Sequence, residues 1–178
     1  MRYDSTLHAF RMSQLQPPDS HHLSAAEGWL GLGNHCEAQV ELDHISASEQ
    51  EHIEVLALRW SIEAHFKSWG KCASLGARMV ELAPKHVFGW IHRSFALHEL
   101  KRTQEARDLL LPAVKSFPKN ETIPYNLACY ECQIGNLESA RGWLKKAMAK
   151  SDPRELKHQA LNDLDLEPLW AEIANLVV

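Results

Sequence analysis

Apolar positions along this chain fall at helical spacing in runs of about 14 residues, each closed by a short polar break. The stretch FGWIHRSFALHELKRTQEARDLLLPAVKSFP, residues 88–118, shows the pattern most clearly. Its first run carries two apolar stripes rather than one. Trp90, Ser94, Leu97 and Leu100 lie on one face, and Phe88, Ile91, Phe95 and His98 lie on another. A surface helix of a compact domain needs a single stripe. Two stripes predict a helix with neighbours on several sides.

The pattern returns with a period of 34 residues. Ala38, Cys72, Ala106 and Ala140 occupy one column of that register. Leu32, Phe66, Leu100 and Ile134 occupy a second, Leu42, Gly76, Leu110 and Leu144 a third, and Ile45, Met79, Ala113 and Ala147 a fourth. A further column is small at Ala26, Ser94 and Ala128 but holds Trp60 in the second repeat. Pro84 and Pro118 close the second and third repeats at matching positions. Within each repeat two helices are joined by a break, LGNHCEA in the first and IGNLESA in the fourth. Gly33 and Gly135 suit a left-handed residue ending one helix, and Asn34 and Asn136 suit the cap opening the next. Lys67 and Lys101 replace the glycine in the other two breaks, so those turns are expected to differ in detail. The small residue of the Ala38 column lets the paired helices approach closely. Each repeat is therefore a helical hairpin that cannot bury its apolar surface alone.

These residues resemble the tetratricopeptide repeat (TPR) family, whose units are 34-residue helix–turn–helix pairs. The third repeat matches best, through Trp90, Ser94, Leu97, Ala106, Leu110, Ala113 and Pro118. The fourth matches through Leu127, Ala128, Gly135, Ala140, Leu144 and Ala147, and the first through Ala26, Trp29, Gly33 and Ala38. The second is least regular, with Trp60 at a small site and Gly76 at a large one, a pair of swaps that could compensate in volume. The resemblance implies an all-α, right-handed α-solenoid of antiparallel helix pairs, a TPR superhelix. It divides the chain into an N-terminal arm (1–18), four repeats (19–52, 53–86, 87–120 and 121–152) and C-terminal capping helices (153–178). Pro17 and Pro18 before Asp19 and Ser20 read as a stop followed by a cap, and Asp152–Pro153 as a cap followed by a first helical position. Residues 1–16 read as an extended arm or a short helix around Leu7–Leu15. Leu156, Leu161, Leu164, Leu166, Leu169, Trp170 and Ile173 are assigned to covering the last apolar face.

In such an architecture the first helix of each repeat lines a concave groove, which implies a partner-binding surface. The residues placed there are Phe88, Ile91, His92, Phe95, His98, Glu99, Tyr125, Asn126, Cys129 and Gln133. Solenoid cores also consume apolar positions, so Phe88, Ile91 and Phe95 serve equally as inter-repeat core. TPR clamps for C-terminal peptides carry a lysine five residues into a repeat. Here those sites hold Leu23, Ala57, Ile91 and Tyr125, which argues against a carboxylate clamp. Asn126 falls where such clamps place an asparagine that holds peptide backbone. The expected ligand is an apolar or mixed protein segment or peptide, and the expected role a non-enzymatic scaffold or adaptor. A chaperone for an unfolded or secreted client is the alternative. Self-association, with the groove filled by another copy or by the arm, stays open.

The 178 residues are 45% hydrophobic and 24% charged, ordinary for a globular chain, and long enough for a substantial core. A formal charge of −4 and scattered basic residues give no footprint for nucleic acid. No stretch approaches the roughly 18 apolar residues of a membrane span, and MRYDSTLHAF lacks the apolar run of a secretory signal. The expected location is the cytoplasm, with the four cysteines reduced. Cys129 and Cys132 form a CxxC, but mid-helix, away from the helix N-terminus that lowers a thiol pKa. With His98 one repeat earlier they form an alternative metal-binding set, zinc or copper by chemistry, against the plainer reading of cysteines packed as small hydrophobes. The pair His21–His22 beside the first helix start reads as solvated. No catalytic pattern appears and no cofactor is expected. Gly31-x-Gly33 follows a helix rather than a strand, so it is no nucleotide fingerprint.

Overall fold

The computed structural model describes residues 14–177, and every regular element among them is helical. The arm expected over residues 1–18 therefore lies largely outside the described residues. The elements are α1 (Asp19–Gly31), α2 (His35–His44), α3 (Ile53–His65), α4 (Trp69–Leu82), α5 (Val87–Glu99), α6 (Thr103–Leu110), α7 (Ala113–Ser116), α8 (Thr122–Ile134), α9 (Leu137–Met148), α10 (Pro153–Ala160) and α11 (Trp170–Ala174). Short 3₁₀ turns occupy Ala47–Glu49 and Leu164–Leu169. The chain groups into an N-terminal body ending at Arg93 and a C-terminal body beginning at Ser94. No described helix is long and apolar enough to cross a membrane.

Four turns, after α1, α3, α5 and α8, share one backbone solution. Gly33, Lys67, Lys101 and Gly135 all take positive φ, at 76°, 54°, 62° and 90°. In each, the N–H of the left-handed residue donates three residues back, as Lys67 does to Ala64 at 3.0 Å and Lys101 to His98 at 2.8 Å. The next N–H donates five residues back: Asn34 to Trp29, Ser68 to Glu63, Arg102 to Leu97 and Asn136 to Glu131. This pair of bonds satisfies the last carbonyls of a helix and reverses the chain at once. The lysine turns thus match the glycine turns, contrary to expectation, because the hairpin needs the geometry whatever residue supplies it. The caps are less uniform. Asn34 accepts from the Glu37 N–H, whereas Asn136 turns its amide to Glu131 at 2.8 Å. Asp19 does not cap α1 either. Its carboxylate accepts both the N–H and the Oγ–H of Ser46, pinning the segment after α2 to the start of α1.

Close reversal requires small side chains where the helices meet. Ala38, Cys72, Ala106 and Ala140 are all fully buried, as are Ala26, Trp60, Ser94 and Ala128. By contrast Leu32, Phe66 and Leu100 are exposed at the hairpin ends. In the N-terminal body Leu15, Leu23, Ala26, Ala38, Leu42, Ile45, Val55, Leu58 and Ile62 form one apolar cluster. Trp60 and Gly76 do not trade volume with each other. The Trp60 ring meets the His92 ring edge-on at 4.4 Å and the Phe88 ring at 6.2 Å. Gly76 lets α4 approach α5 so closely that an added Cβ would lie 2.7 Å from the Arg93 Cα, and Gly89 meets Val80 N in the same way.

In the C-terminal body Pro112 divides the second helix of its hairpin. Lacking an N–H, it stops α6 at Leu110 and lets α7 begin at Ala113. Asp152 caps α10 by accepting from the N–H groups of Arg154 and Glu155, with Pro153 as first helical residue. Leu156, Leu166, Leu169 and Ile173 are buried, and Trp170 donates its Nε1–H to the carbonyls of Ala160 and Asp163. Leu164 departs from the cap assignment. It is 73% exposed, because the 3₁₀ turn aims Leu166 and Leu169 inward instead.

The turns and the close helix approach each set a stability outcome. Lys67→Gly and Lys101→Gly remove side-chain strain at positive φ from exposed positions, and each is expected to stabilise by about 1 kcal/mol in urea unfolding. Gly76→Ala is expected to destabilise by about 1–3 kcal/mol, because the clashing atoms belong to backbone. An unchanged midpoint for Gly76→Ala would show that α4 and α5 separate freely.

Candidate functional site

The first-helix residues selected from the sequence occupy two settings. In the N-terminal body Phe88, Ile91 and His92 are buried. The Phe88 and His92 rings stack at 3.6 Å, and His92 Nδ1 lies 2.9 Å from the Phe88 carbonyl. In the C-terminal body His98, Tyr125, Asn126 and Cys129 are buried, Phe95 and Glu99 are half-buried, and Gln133 is exposed.

A polar network runs beneath α8. Asp163, just after α10, is brought over the helix and accepts the Tyr125 O–H at 2.9 Å and the Cys129 S–H at 3.7 Å. Its other oxygen accepts the Asp165 N–H at 3.1 Å. The Asp165 carboxylate lies 3.2 Å from His98 Nε2, and its carbonyl accepts from Gln133 Nε2 at 3.0 Å. His98 Nδ1 lies 3.0 Å from Thr103 Oγ1, and Tyr130 donates to Ser94 Oγ. Burial first, then Cys129 and Asp163 nearby, push the Tyr125 phenol far above its usual range, so it remains a donor. Burial and the same carboxylates raise the Cys129 thiol, and burial chiefly raises Cys132. Neither sulfur is poised as a nucleophile.

One group stands outside this network. Asn126 is fully buried on α8, yet neither its Nδ2 nor its Oδ1 finds a hydrogen-bond partner among the described residues. An amide left in that state costs about 1–3 kcal/mol.

The proposed metal set is rearranged. Cys129 is grouped with Asp163 and Asp165, their ligand atoms within 4.8 Å of one another, and Cys132 lies outside that group. His98 joins through Asp165. Cys129 Sγ bonds the Asp163 carboxylate, whereas the Asp165 carboxylate is turned to His98.

Sequence reasoning did not anticipate a groove of about 1040 Å³ in the N-terminal body, lined by α2, α3 and α4. Its cations are compensated locally. Arg59 pairs with Asp43, Lys71 with Glu63, and Arg78 with Glu51. At its rim the His35 and His65 rings stack at 3.5 Å beside exposed Phe66. The signal available was the small-residue content of WGKCASLG, which leaves α4 low-walled.

Asp163→Ala is expected to destabilise the chain by about 1–3 kcal/mol by stranding the buried Tyr125 hydroxyl. A double-mutant cycle with Tyr125→Phe should show coupling of about 1 kcal/mol or more. Additive effects would mean that the contact contributes nothing.

No protein-family model and no curated protein matches the chain. Solved structures do. MamA from Desulfovibrio magneticus RS-1 (residues 41 to the end) is similar at 18% identity and TM-score 0.70, over 89% of this chain and 92% of that one. TTC0263, a thermophilic TPR protein of Thermus thermophilus, is similar at 18% identity and TM-score 0.67, over 89% of this chain and all of that one (100%). At such identity the likeness speaks for the fold, and with the helix order and turns described above it shows that this chain has an all-α, TPR-like fold.

Proposed function

We propose that this chain is a non-enzymatic interaction scaffold or adaptor that holds a segment of a protein partner against the inner face of its first helices. Under this reading residues 19–152 act as four repeats, with 153–178 as their cap. The observation that carries it is the unpartnered Asn126 amide, which is fully buried and so meets a partner only when that partner displaces the side chains above it. A peptide group offers one N–H and one C=O, which match the acceptor and the donor of that side chain. Phe95 supplies apolar contact, while Glu99 and Gln133 provide a polar edge in the same body. An apolar anchor beside a small set of polar groups is the usual composition of a peptide site.

Asn126→Leu separates this reading from a structural role. Removing an unsatisfied buried amide should leave stability unchanged or raise it by about 1 kcal/mol. The same variant, and Phe95→Ala, should lose the partner that wild type retains from native-host lysate, identified by mass spectrometry. Stability falling by more than about 1 kcal/mol, or an unchanged set of retained proteins, would overturn the assignment of Asn126.

A further inference from the structure

His21 and His22 are neighbours in sequence, but the fold separates their roles. His21 is exposed, whereas His22 is half-buried on α1 with its Nδ1 2.8 Å from Glu41 Oε2 on α2. One turn along α2, His44 brings its ring to 5.2 Å from the His22 ring. The ligand atoms of His22, Glu41 and His44 all lie within 4.8 Å of one another. Glu41 pairs with no lysine or arginine, and the His44 side chain makes no hydrogen bond, among the described residues. Two imidazoles and a carboxylate are thus gathered at one end of the first hairpin, with no lysine or arginine of the described residues pairing with the acid.

We propose that His22, Glu41 and His44 form a zinc site that clasps α1 to α2. Two nitrogen donors and one carboxylate oxygen match the donor set of zinc sites that leave a fourth position for water. The same donors disfavour magnesium and calcium, which prefer all-oxygen shells. Tetrahedral coordination with bonds near 2.0–2.1 Å separates ligand atoms by about 3.3 Å. The His22–Glu41 contact needs only to open slightly, and His44 to swing inward, both movements of side-chain rotamers. Its exposure leaves His44 free to make that movement. With the ion on Nδ1, the neutral His22 imidazole carries its single proton on Nε2. Placement beside the Asp19–Ser46 bonds means that the ion would fasten the same end of the hairpin.

The test uses the tag-free full chain, stripped of metal and titrated with zinc in competition with a chromophoric chelator. Wild type should bind one equivalent and melt at higher temperature with zinc than without. His44→Gln, at an exposed position that does not endanger folding, should weaken that binding at least about tenfold and abolish the thermal shift. His22→Gln should do the same, while His35→Gln/His65→Gln should bind as wild type does. Absence of stoichiometric binding, equal affinity in His44→Gln, or loss confined to the His35/His65 variant would each overturn the assignment.

Discussion

A left-handed residue after each of four helices is the constraint on which the rest of this structure depends. It reverses the chain within three residues while satisfying the carbonyls that a helix end would leave exposed. Reversal over so short a distance sets the two helices antiparallel and close together. Closeness demands a small residue at the crossing, which is why Ala38, Cys72, Ala106 and Ala140 are fully buried without large side chains. The demand is strong enough that Lys67 and Lys101 accept positive φ where glycine would be unstrained. Hairpins built in this way present apolar faces on more than one side, so each must be covered by something else.

In the C-terminal body that covering is unusually complete. Every residue of α8 from Thr122 to Cys132 is buried, whereas α1 buries only Asp19, Leu23 and Ala26 along its length. A helix enclosed on all sides cannot send polar side chains to solvent, so they must find partners within the fold. Asp163 supplies them for Tyr125 and Cys129, and Asp165 supplies one for His98. Asn126 is the exception, with neither its Nδ2 nor its Oδ1 partnered. Beside neighbours that have found partners, an amide without one is costly to bury.

The periodic features of the fold were legible in the sequence. The 34-residue register marks starts at Asp19, Ile53 and Val87, where α1, α3 and α5 begin, and at Glu121, one residue before α8. Asp152–Pro153 reads correctly as the opening of α10 because capping is a contact between residues two and three apart. Gly33 and Gly135 read correctly as helix ends for the same reason. The lysine turns were misread, since propensity speaks for the residue and the hairpin imposes the geometry. Leu164 was misread because its neighbours Leu166 and Leu169 compete for the same face.

What the sequence determined by itself was local: helix periods, stops and the repetition that requires hairpins to pack. What only the tertiary structure decided was which side chains meet across helices. Tyr125 finds Asp163 38 residues away, and His22 finds Glu41 19 residues away. Both depend on how each helix is rotated about its own axis, and no spacing within one helix encodes that rotation. The polar layer beneath α8, the unpartnered Asn126 and the His22–Glu41–His44 cluster all arise from it. Periodicity tells a helix to bury a face; the neighbouring helix decides what that face touches.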